Sequence, residues 1–89
     1  MQMVKPLPKW LFLRYARIWK EKNSAEFGYD EIRALLRERD DRTLSVILSD
    51  LRRNGWLEVT LDPLDARKRT YRLRNPEEMV EEIARESKL

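Results

Sequence analysis

The sequence contains no cysteine and no histidine, and it has only two glycines among 89 residues. Without cysteine there is no disulfide, no thiolate nucleophile and no zinc site of the cysteine type. Without histidine there is no imidazole metal ligand and no obvious general base near neutral pH. Gly28 and Gly55 stand alone, so a glycine-rich phosphate loop is also excluded. These absences argue against an enzyme, and we expect no cofactor and no metal.

Two remaining sets of polar residues are better explained by structure than by catalysis. Asp40, Asp41, Asp62 and Asp65 could in principle bind Mg²⁺, but they stand where helix starts and turns favour aspartate. The serines have no partner base, which leaves nucleophilic catalysis without its usual set of residues. We therefore predict that the protein is not an enzyme.

Long apolar runs are absent as well. No run approaches the roughly 20 residues that a membrane span requires, and residues 1–5 lack the apolar region of a signal peptide. We predict a cytoplasmic protein. The high charged fraction, with few glycines and no cysteine, is typical of a thermophilic source.

The composition itself indicates one small globular domain that spans residues 1–89. Hydrophobic residues make up 42% of the chain and charged residues 39%, enough for one modest core. The net charge is only +3, so the distribution of charge matters more than its sum. Residues 67–74 include five basic side chains and no acid, whereas residues 76–87 include five glutamates against Arg85. One surface should therefore attract phosphate groups and another should repel them.

The first half of the chain has helical periodicity. The first helix is predicted over residues 9–22, with Leu11, Tyr15 and Ile18 on one stripe and further apolar residues beside it. A helix apolar on more than one face usually makes a second contact, either with a second subunit or with the chain's own terminal segments. A very short strand is predicted at Ser24–Phe27. The second helix is predicted over residues 28–37, from an N-cap at Gly28 with Glu31 three residues on. Its expected buried positions are Ile32, Leu35 and Leu36.

The third helix is predicted over residues 41–54 and is the most strongly patterned stretch. Its apolar residues follow the i, i+3, i+4, i+7 spacing of a helix with one buried face: Leu44, Ile47, Leu48 and Leu51. Asp40 or Asp41 is expected to cap its start, and Asn54–Gly55 to end it with a left-handed residue. Two short helices joined by a tight turn form a helix-turn-helix.

After Gly55 the apolar period changes from 3.6 to 2, which predicts a β-hairpin over residues 56–74. Leu57, Val59 and Leu61 should lie on the buried face of its first strand, and residues 62–66 have turn chemistry. The returning strand carries Arg69, Tyr71 and Leu73, and Trp56 is expected to fill the core between helix and hairpin. Asn75–Pro76 then begins a last helix over residues 76–87. The order predicts an α+β, mostly α, winged helix-turn-helix with a three-helix core, a hairpin wing and a C-terminal helix.

Residues 51–59 and 62–67 carry a more specific pattern. The run from Leu51 through Gly55 to Val59, followed by Asp-Pro-Leu-Asp-Ala-Arg, resembles the third helix and wing of MarR-type winged-helix regulators. The similarity covers about residues 27–74. It implies that Arg67 enters the DNA minor groove, that Asp65 braces the wing, and that Ser45, Val46 and Ser49 face bases. MarR-type proteins usually have longer terminal helices with a ligand crevice, so the resemblance leaves open whether a small-molecule effector binds here.

From the exposed face of the third helix and the basic wing we predict a regulator that binds double-stranded DNA. The candidate DNA-binding residues are Arg42, Thr43, Ser45, Val46, Ser49, Arg52, Arg53, Arg67, Lys68 and Arg69. Two other interpretations stay open. The exposed face of the third helix, on which Asp50 would repel phosphate, is an ordinary polar face or one that contacts protein. The wing arginines, Arg69 above all, pair with Glu58 and other acids. A homodimer is expected, through apolar residues of the two terminal helices: Trp10, Phe12, Leu13, Met79 and Ile83. The alternative function is a winged-helix module that binds proteins in a transcription or replication assembly.

Overall fold

The computed structural model describes residues 4–65 and 67–87, which form four helices and one antiparallel β-hairpin. The helices are α1 Lys9–Lys22, α2 Tyr29–Leu36, α3 Asp41–Arg53 and α4 Pro76–Ser87, and the strands are β1 Leu57–Leu61 and β2 Arg69–Leu73. The predicted class, α+β and mostly helical, is confirmed. The predicted 1–89 domain also takes in positions outside the described residues, and the predicted turn at 62–66 ends on one of them, Ala66.

The helix ends are set by local hydrogen bonds. At the start of α2 the backbone N–H of Gly28 donates to Glu31 Oε1 at 3.2 Å. Asp40, rather than Asp41, caps α3, because its Oδ1 accepts from the backbone N–H of Arg42 at 3.0 Å. After α3, Gly55 has a φ of 87°, a left-handed conformation that costs other residues more.

One core joins α1, α2, α3 and the hairpin. From α1 it takes Leu11, Tyr15 and Ile18, all of which lie on the predicted stripe. Trp56 is buried as predicted, and its ring meets Tyr15 edge-on with centroids 4.9 Å apart. Val4, which the sequence did not single out, is also buried, because its segment is tied to the end of α3. Those ties run from Lys5 N to the Asn54 carbonyl at 3.1 Å and from Trp56 Nε1 to the Lys5 carbonyl at 2.7 Å.

Two predicted burial patterns need correction. On α2 only Ile32 is fully buried, whereas Leu35 and Leu36 are half-buried and pack against the edge of the core. On β1, Leu57 is buried and Val59 half-buried, but Leu61 is 53% exposed. The alternation stops being a burial pattern there because the far end of the hairpin extends past the helices that cover its base.

One residue outside the hairpin pairs with its second strand. Phe27 and Tyr71 form an isolated antiparallel bridge with two backbone hydrogen bonds of 2.9 Å. The strand predicted at Ser24–Phe27 is thus reduced to a single residue. This bridge holds the segment before α2 against β2, and the Phe27 and Tyr71 rings stack at 5.9 Å.

The last helix packs on the core of its own chain. Met79 is 0% exposed and Ile83 is half-buried. Arg74, which follows β2, links the elements, because its Nη2 contacts Glu82 Oε1 at 2.8 Å and its carbonyl accepts from the Tyr15 hydroxyl at 2.6 Å. The prediction that Met79 lies at a dimer interface is therefore wrong, since a side chain enclosed in its own core cannot reach a partner. Over residues 4–65 and 67–87, no helix combines the length and apolar character that crossing a bilayer requires.

Candidate nucleic-acid interface

The outward face of α3 is polar and small. Burial of Leu44, Ile47, Leu48 and Leu51 turns the other side of the helix to solvent, and the predicted contact residues there are exposed: Arg42, Ser45, Val46 and Ser49. This face has no bulky side chain in its middle, so another molecule can approach it closely.

Two polar residues of α3 are engaged within the chain. The hydroxyl of Thr43 donates to Asp40 Oδ2 at 3.1 Å, so this side chain completes the helix cap. Asp50 is half-buried and lies 3.7 Å from Arg53 Nη1, which places an opposite charge beside its carboxylate. The repulsion of phosphate by Asp50 is reduced accordingly. Arg52 and Arg53 form the basic last turn of the helix.

The turn of the hairpin is held by its two aspartates. Asp62 Oδ1 accepts from the backbone N–H of Leu64 at 2.8 Å, and Asp65 Oδ1 accepts from that of Arg67 at 3.0 Å. The carbonyl of Asp65 also accepts from Lys68 N at 3.0 Å. These are the contacts expected of a residue that braces the turn, the role that the family resemblance implies for Asp65.

The register of the hairpin sorts its basic residues into two groups. Glu58 lies opposite Arg72, and Arg72 Nη2 donates to Glu58 Oε2 at 2.8 Å, a contact that raises the pKa of the arginine. Arg74 is paired with Glu82. Arg69 lies opposite Leu61 instead, so the expected pairing of Arg69 with Glu58 is wrong. Within the described part of the chain, no carboxylate lies within salt-bridge distance of Arg69 or its neighbours Arg67 and Lys68.

A cleft of about 380 Å³ separates α3 from the hairpin. We call it the α3–hairpin cleft, and its lining combines basic, hydroxyl-bearing and apolar side chains: Tyr29, Ser45, Leu48, Ser49, Arg52, Val59, Arg67, Arg69 and Tyr71. None of the described residues that line it is acidic. The structure thus brings together five of the ten residues that the sequence nominated for DNA contact.

Two tyrosines that line the cleft, Tyr29 and Tyr71, were not predicted from the sequence as site residues. A signal for Tyr71 existed, because Arg69 and Tyr71 are two positions apart on one strand and so share a face. Tyr29 had no such signal. Its position follows from the turn between α2 and α3, where its hydroxyl lies 3.4 Å from Asp41 Oδ1 and the Arg33 guanidinium lies over its ring.

A second surface is apolar. Trp10, Phe12 and Leu13 on α1 are each at least 43% exposed, and Val80 on α4 is 61% exposed. Three of these belong to the predicted dimer interface, and Val80 is an addition. Around them, α1 has five basic residues and one acid, whereas α4 has five glutamates and one arginine.

Comparisons with protein-family models, with curated proteins and with solved structures returned no match. Within residues 4–65 and 67–87, no three or more histidine, cysteine, aspartate or glutamate side chains are grouped so as to hold a metal ion. Two surfaces are therefore the candidates for function: the α3–hairpin cleft with its surroundings, and the apolar face of α1 and α4.

Proposed function

We propose that this protein is a winged-helix regulator of transcription that binds double-stranded DNA as a homodimer. In this proposal α3 is the recognition helix and the hairpin is the wing. The observation that carries it is the α3–hairpin cleft, because exposed residues of α3 and arginines of the hairpin border one acid-free concavity. Basic side chains next to a small polar helix face suit a duplex, whose backbone is anionic and whose major groove admits a helix.

The roles differ between the two elements. Ser45 and Ser49 are small enough to let α3 approach base edges, and Val46 can contact a thymine methyl group. Arg67 and Lys68 supply charge for the backbone. Changes on α3 should therefore alter sequence preference, and changes on the wing should weaken binding to every sequence.

Binding to duplex DNA as a function of salt tests the proposal directly. A fluorescent random-sequence duplex should bind at low ionic strength, with log K falling linearly against log salt by about 0.9 per neutralised phosphate. Val46→Ala should then change the sequences enriched by selection from a random pool, whereas Arg67→Ala should weaken binding to all of them. Arg72→Ala, which removes an exposed arginine of β2 that is paired with Glu58, is the matched control. Absence of salt-sensitive binding by the wild-type protein would refute the proposal.

The homodimer is proposed to form through the outward faces of α1 and α4. The basic surplus of α1 matches the acidic surplus of α4, so α1 of one copy and α4 of a second attract each other in a two-fold arrangement. Such a dimer can present its recognition helices about 34 Å apart, one turn of DNA. Sedimentation should show a dimer that Leu13→Glu dissociates without loss of helical signal. A wild-type monomer at tens of micromolar protein would contradict the dimer.

The exposed apolar face of α1 also favours a second candidate, a winged-helix module that binds another protein. Trp10, Phe12 and Leu13 are the kind of side chains that dominate protein interfaces. Recovery of one stoichiometric partner protein, lost in Leu13→Glu and unaffected by Arg67→Ala, would favour this candidate. A DNA-bound homodimer of the purified chain would favour the first.

A further inference from the structure

We propose that the α3–hairpin cleft is a phosphate site in which Arg67 and Arg69 together hold one phosphodiester of the DNA backbone. The inference rests on the proposed DNA-binding function and makes it more specific. It also differs from what the family resemblance implies for Arg67, which is insertion into the minor groove. The two roles have different consequences, because a phosphate contact carries no base information and a minor-groove contact distinguishes A·T from G·C pairs.

Arginine side chains from two elements line the cleft. Arg67 and Arg69 line the cleft from the hairpin side, and Arg52 lines it from the last turn of α3. A guanidinium group presents paired N–H donors in a plane, a geometry that fits two oxygens of one phosphate. Arg67 and Arg69, which line the same concavity from the hairpin, are therefore suited to a single shared anion.

The acids nearest in the chain do not compete for these arginines. Asp62 and Asp65 lie in the hairpin turn, where their carboxylates accept hydrogen bonds from the backbone N–H groups of Leu64 and Arg67. Glu58 is occupied by Arg72. Among the described residues no carboxylate lies within salt-bridge distance of Arg67 or Arg69, so their charge can act on an external anion.

The remaining lining fits a phosphate with its sugar. Ser45 and Ser49 contribute hydroxyl donors, while Leu48 and Tyr71 provide an apolar wall for the deoxyribose. Pockets for small ligands span about 300–1,000 Å³, so the 380 Å³ of this cleft accommodates one nucleotide unit.

The location of Arg67 favours the phosphate role. In the described part of the turn Leu64 is 96% exposed, whereas Arg67 lines the cleft that α3 borders. An exposed arginine in the wall of this cleft is placed to contact an anion bound there.

Salt dependence separates the two roles. Binding of the wild-type protein and of Arg67→Ala, Arg69→Ala and the double variant is measured on two duplexes of about 20 base pairs, two helical turns. One duplex contains only A·T pairs and the other only G·C pairs. If the arginines share one phosphate, the double variant lowers the log–log salt slope by about 0.9 per protomer, because one phosphate contact is lost from each copy of the dimer. The decrease is equal on both duplexes, and Arg72→Ala, which removes an exposed arginine of β2 that is paired with Glu58, leaves the slope unchanged.

Two results of this experiment would overturn the inference. A decrease in the double variant of about 1.8 per protomer, with about 0.9 from each arginine, would show two separate phosphates. A loss confined to the A·T duplex in Arg67→Ala would show that this arginine reads the minor groove. Thermal unfolding of each variant serves as the check on folding, and both substituted residues are exposed.

A measurement without DNA keeps this inference separate from the proposed function. Backbone amide signals are followed by NMR during titration with inorganic pyrophosphate, with sodium chloride at equal ionic strength as control. Shifts at Ser45, Ser49, Arg67 and Arg69 under pyrophosphate alone support the phosphate site, and equal shifts under both salts overturn it. If the cleft responds but the wild-type protein binds no duplex, the proposed function and the assignment to DNA backbone both fail. Tighter binding of thymidine monophosphate than of the duplex would likewise reassign the cleft to a free nucleotide.

Discussion

The hydroxyl of Tyr15 joins α1 to the end of the hairpin, and its removal tests the packing at the centre of the fold. It donates to the carbonyl of Arg74 at 2.6 Å, between residues that are 59 positions apart in the chain. The ring is 2% exposed and stays in contact with Trp56 in a Tyr15→Phe variant, because only the oxygen is removed. The substitution therefore isolates one hydrogen bond.

The expected loss follows from the cost of that bond. A buried hydrogen bond contributes about 0.5–1.5 kcal/mol, and a carbonyl left without a partner adds a further penalty. We expect Tyr15→Phe to lower the free energy of unfolding by about 1–2 kcal/mol, with each kcal/mol lowering Tm by about 4–8 °C in a domain of this size. Urea and thermal unfolding followed by circular dichroism at neutral pH measure both quantities.

The pH dependence provides a second test of the same residue. Burial raises the pKa of Tyr15 above its ordinary value of 10.0, so the folded state retains the phenolic proton more strongly than the unfolded chain. The associated stability is fully present below pH 10.0 and is lost as the pH rises above it. The stability difference between wild type and Tyr15→Phe should narrow above that pH, by at most about 1.4 kcal/mol per pH unit.

The control is Tyr29→Phe, because the Tyr29 hydroxyl makes only long contacts of 3.4 and 3.5 Å with Asp41. Tyr29→Phe should lower the free energy of unfolding by less than about 0.5 kcal/mol, as is usual for substitutions that remove no buried hydrogen bond. Equal losses in the two variants would refute the reasoning, and so would a parallel pH dependence of Tyr15→Phe and wild type.

Three further predictions concern single residues. Met79→Ala should lower the free energy of unfolding, measured in urea, by about 2–5 kcal/mol because it leaves a cavity. Sedimentation of the folded protein should not change. A variant that dissociates without being destabilised would contradict the place of Met79 in the core. Gly55→Ala should lower the free energy of unfolding by about 1–2 kcal/mol, because the left-handed conformation with φ 87° strains any Cβ. An unchanged Tm in thermal unfolding would contradict this expectation. Hydrogen bonds from Lys22 and from the Gly28 N–H lower the pKa of Glu31 in the folded protein. The ionised Glu31 therefore stabilises the fold at a pH above its pKa in the unfolded chain, and this stabilisation is lost as the pH falls through its pKa in the folded state. Glu31→Gln should therefore flatten acid unfolding curves between about pH 5 and pH 3, and unchanged curves would count against it.

Periodicity predicted the parts of the fold that depend on one helix alone. All four apolar residues assigned to the buried face of α3 are buried, and Asp40 and Gly55 delimit the helix as the capping pattern indicates. These features follow from the geometry of consecutive residues, so a sequence contains them in full.

Features that depend on where an element lies in space were predicted less well. Met79 and Val80 are adjacent apolar residues on one helix, but the first is enclosed and the second is 61% exposed. Leu61 continues the alternation of β1 beyond the point where helices cover the hairpin. Val4 is buried because Trp56 and Asn54 bind its segment, contacts across about 50 positions that no local pattern reports.

The candidate site depends on the same kind of long-range information, through the register of the hairpin. The sequence contains a run of five basic residues between positions 67 and 74, and it does not say which of them are neutralised. The register pairs Glu58 with Arg72, and α4 brings Glu82 to Arg74, so the charge toward the base of the hairpin is internally balanced. A shift of one residue in this register would exchange the two faces of β2 and move Arg69 away from α3. The hairpin pairing thus decides that Arg69 lines the α3–hairpin cleft, which is why a DNA-binding hypothesis for this chain depends on β1 as much as on the arginines themselves.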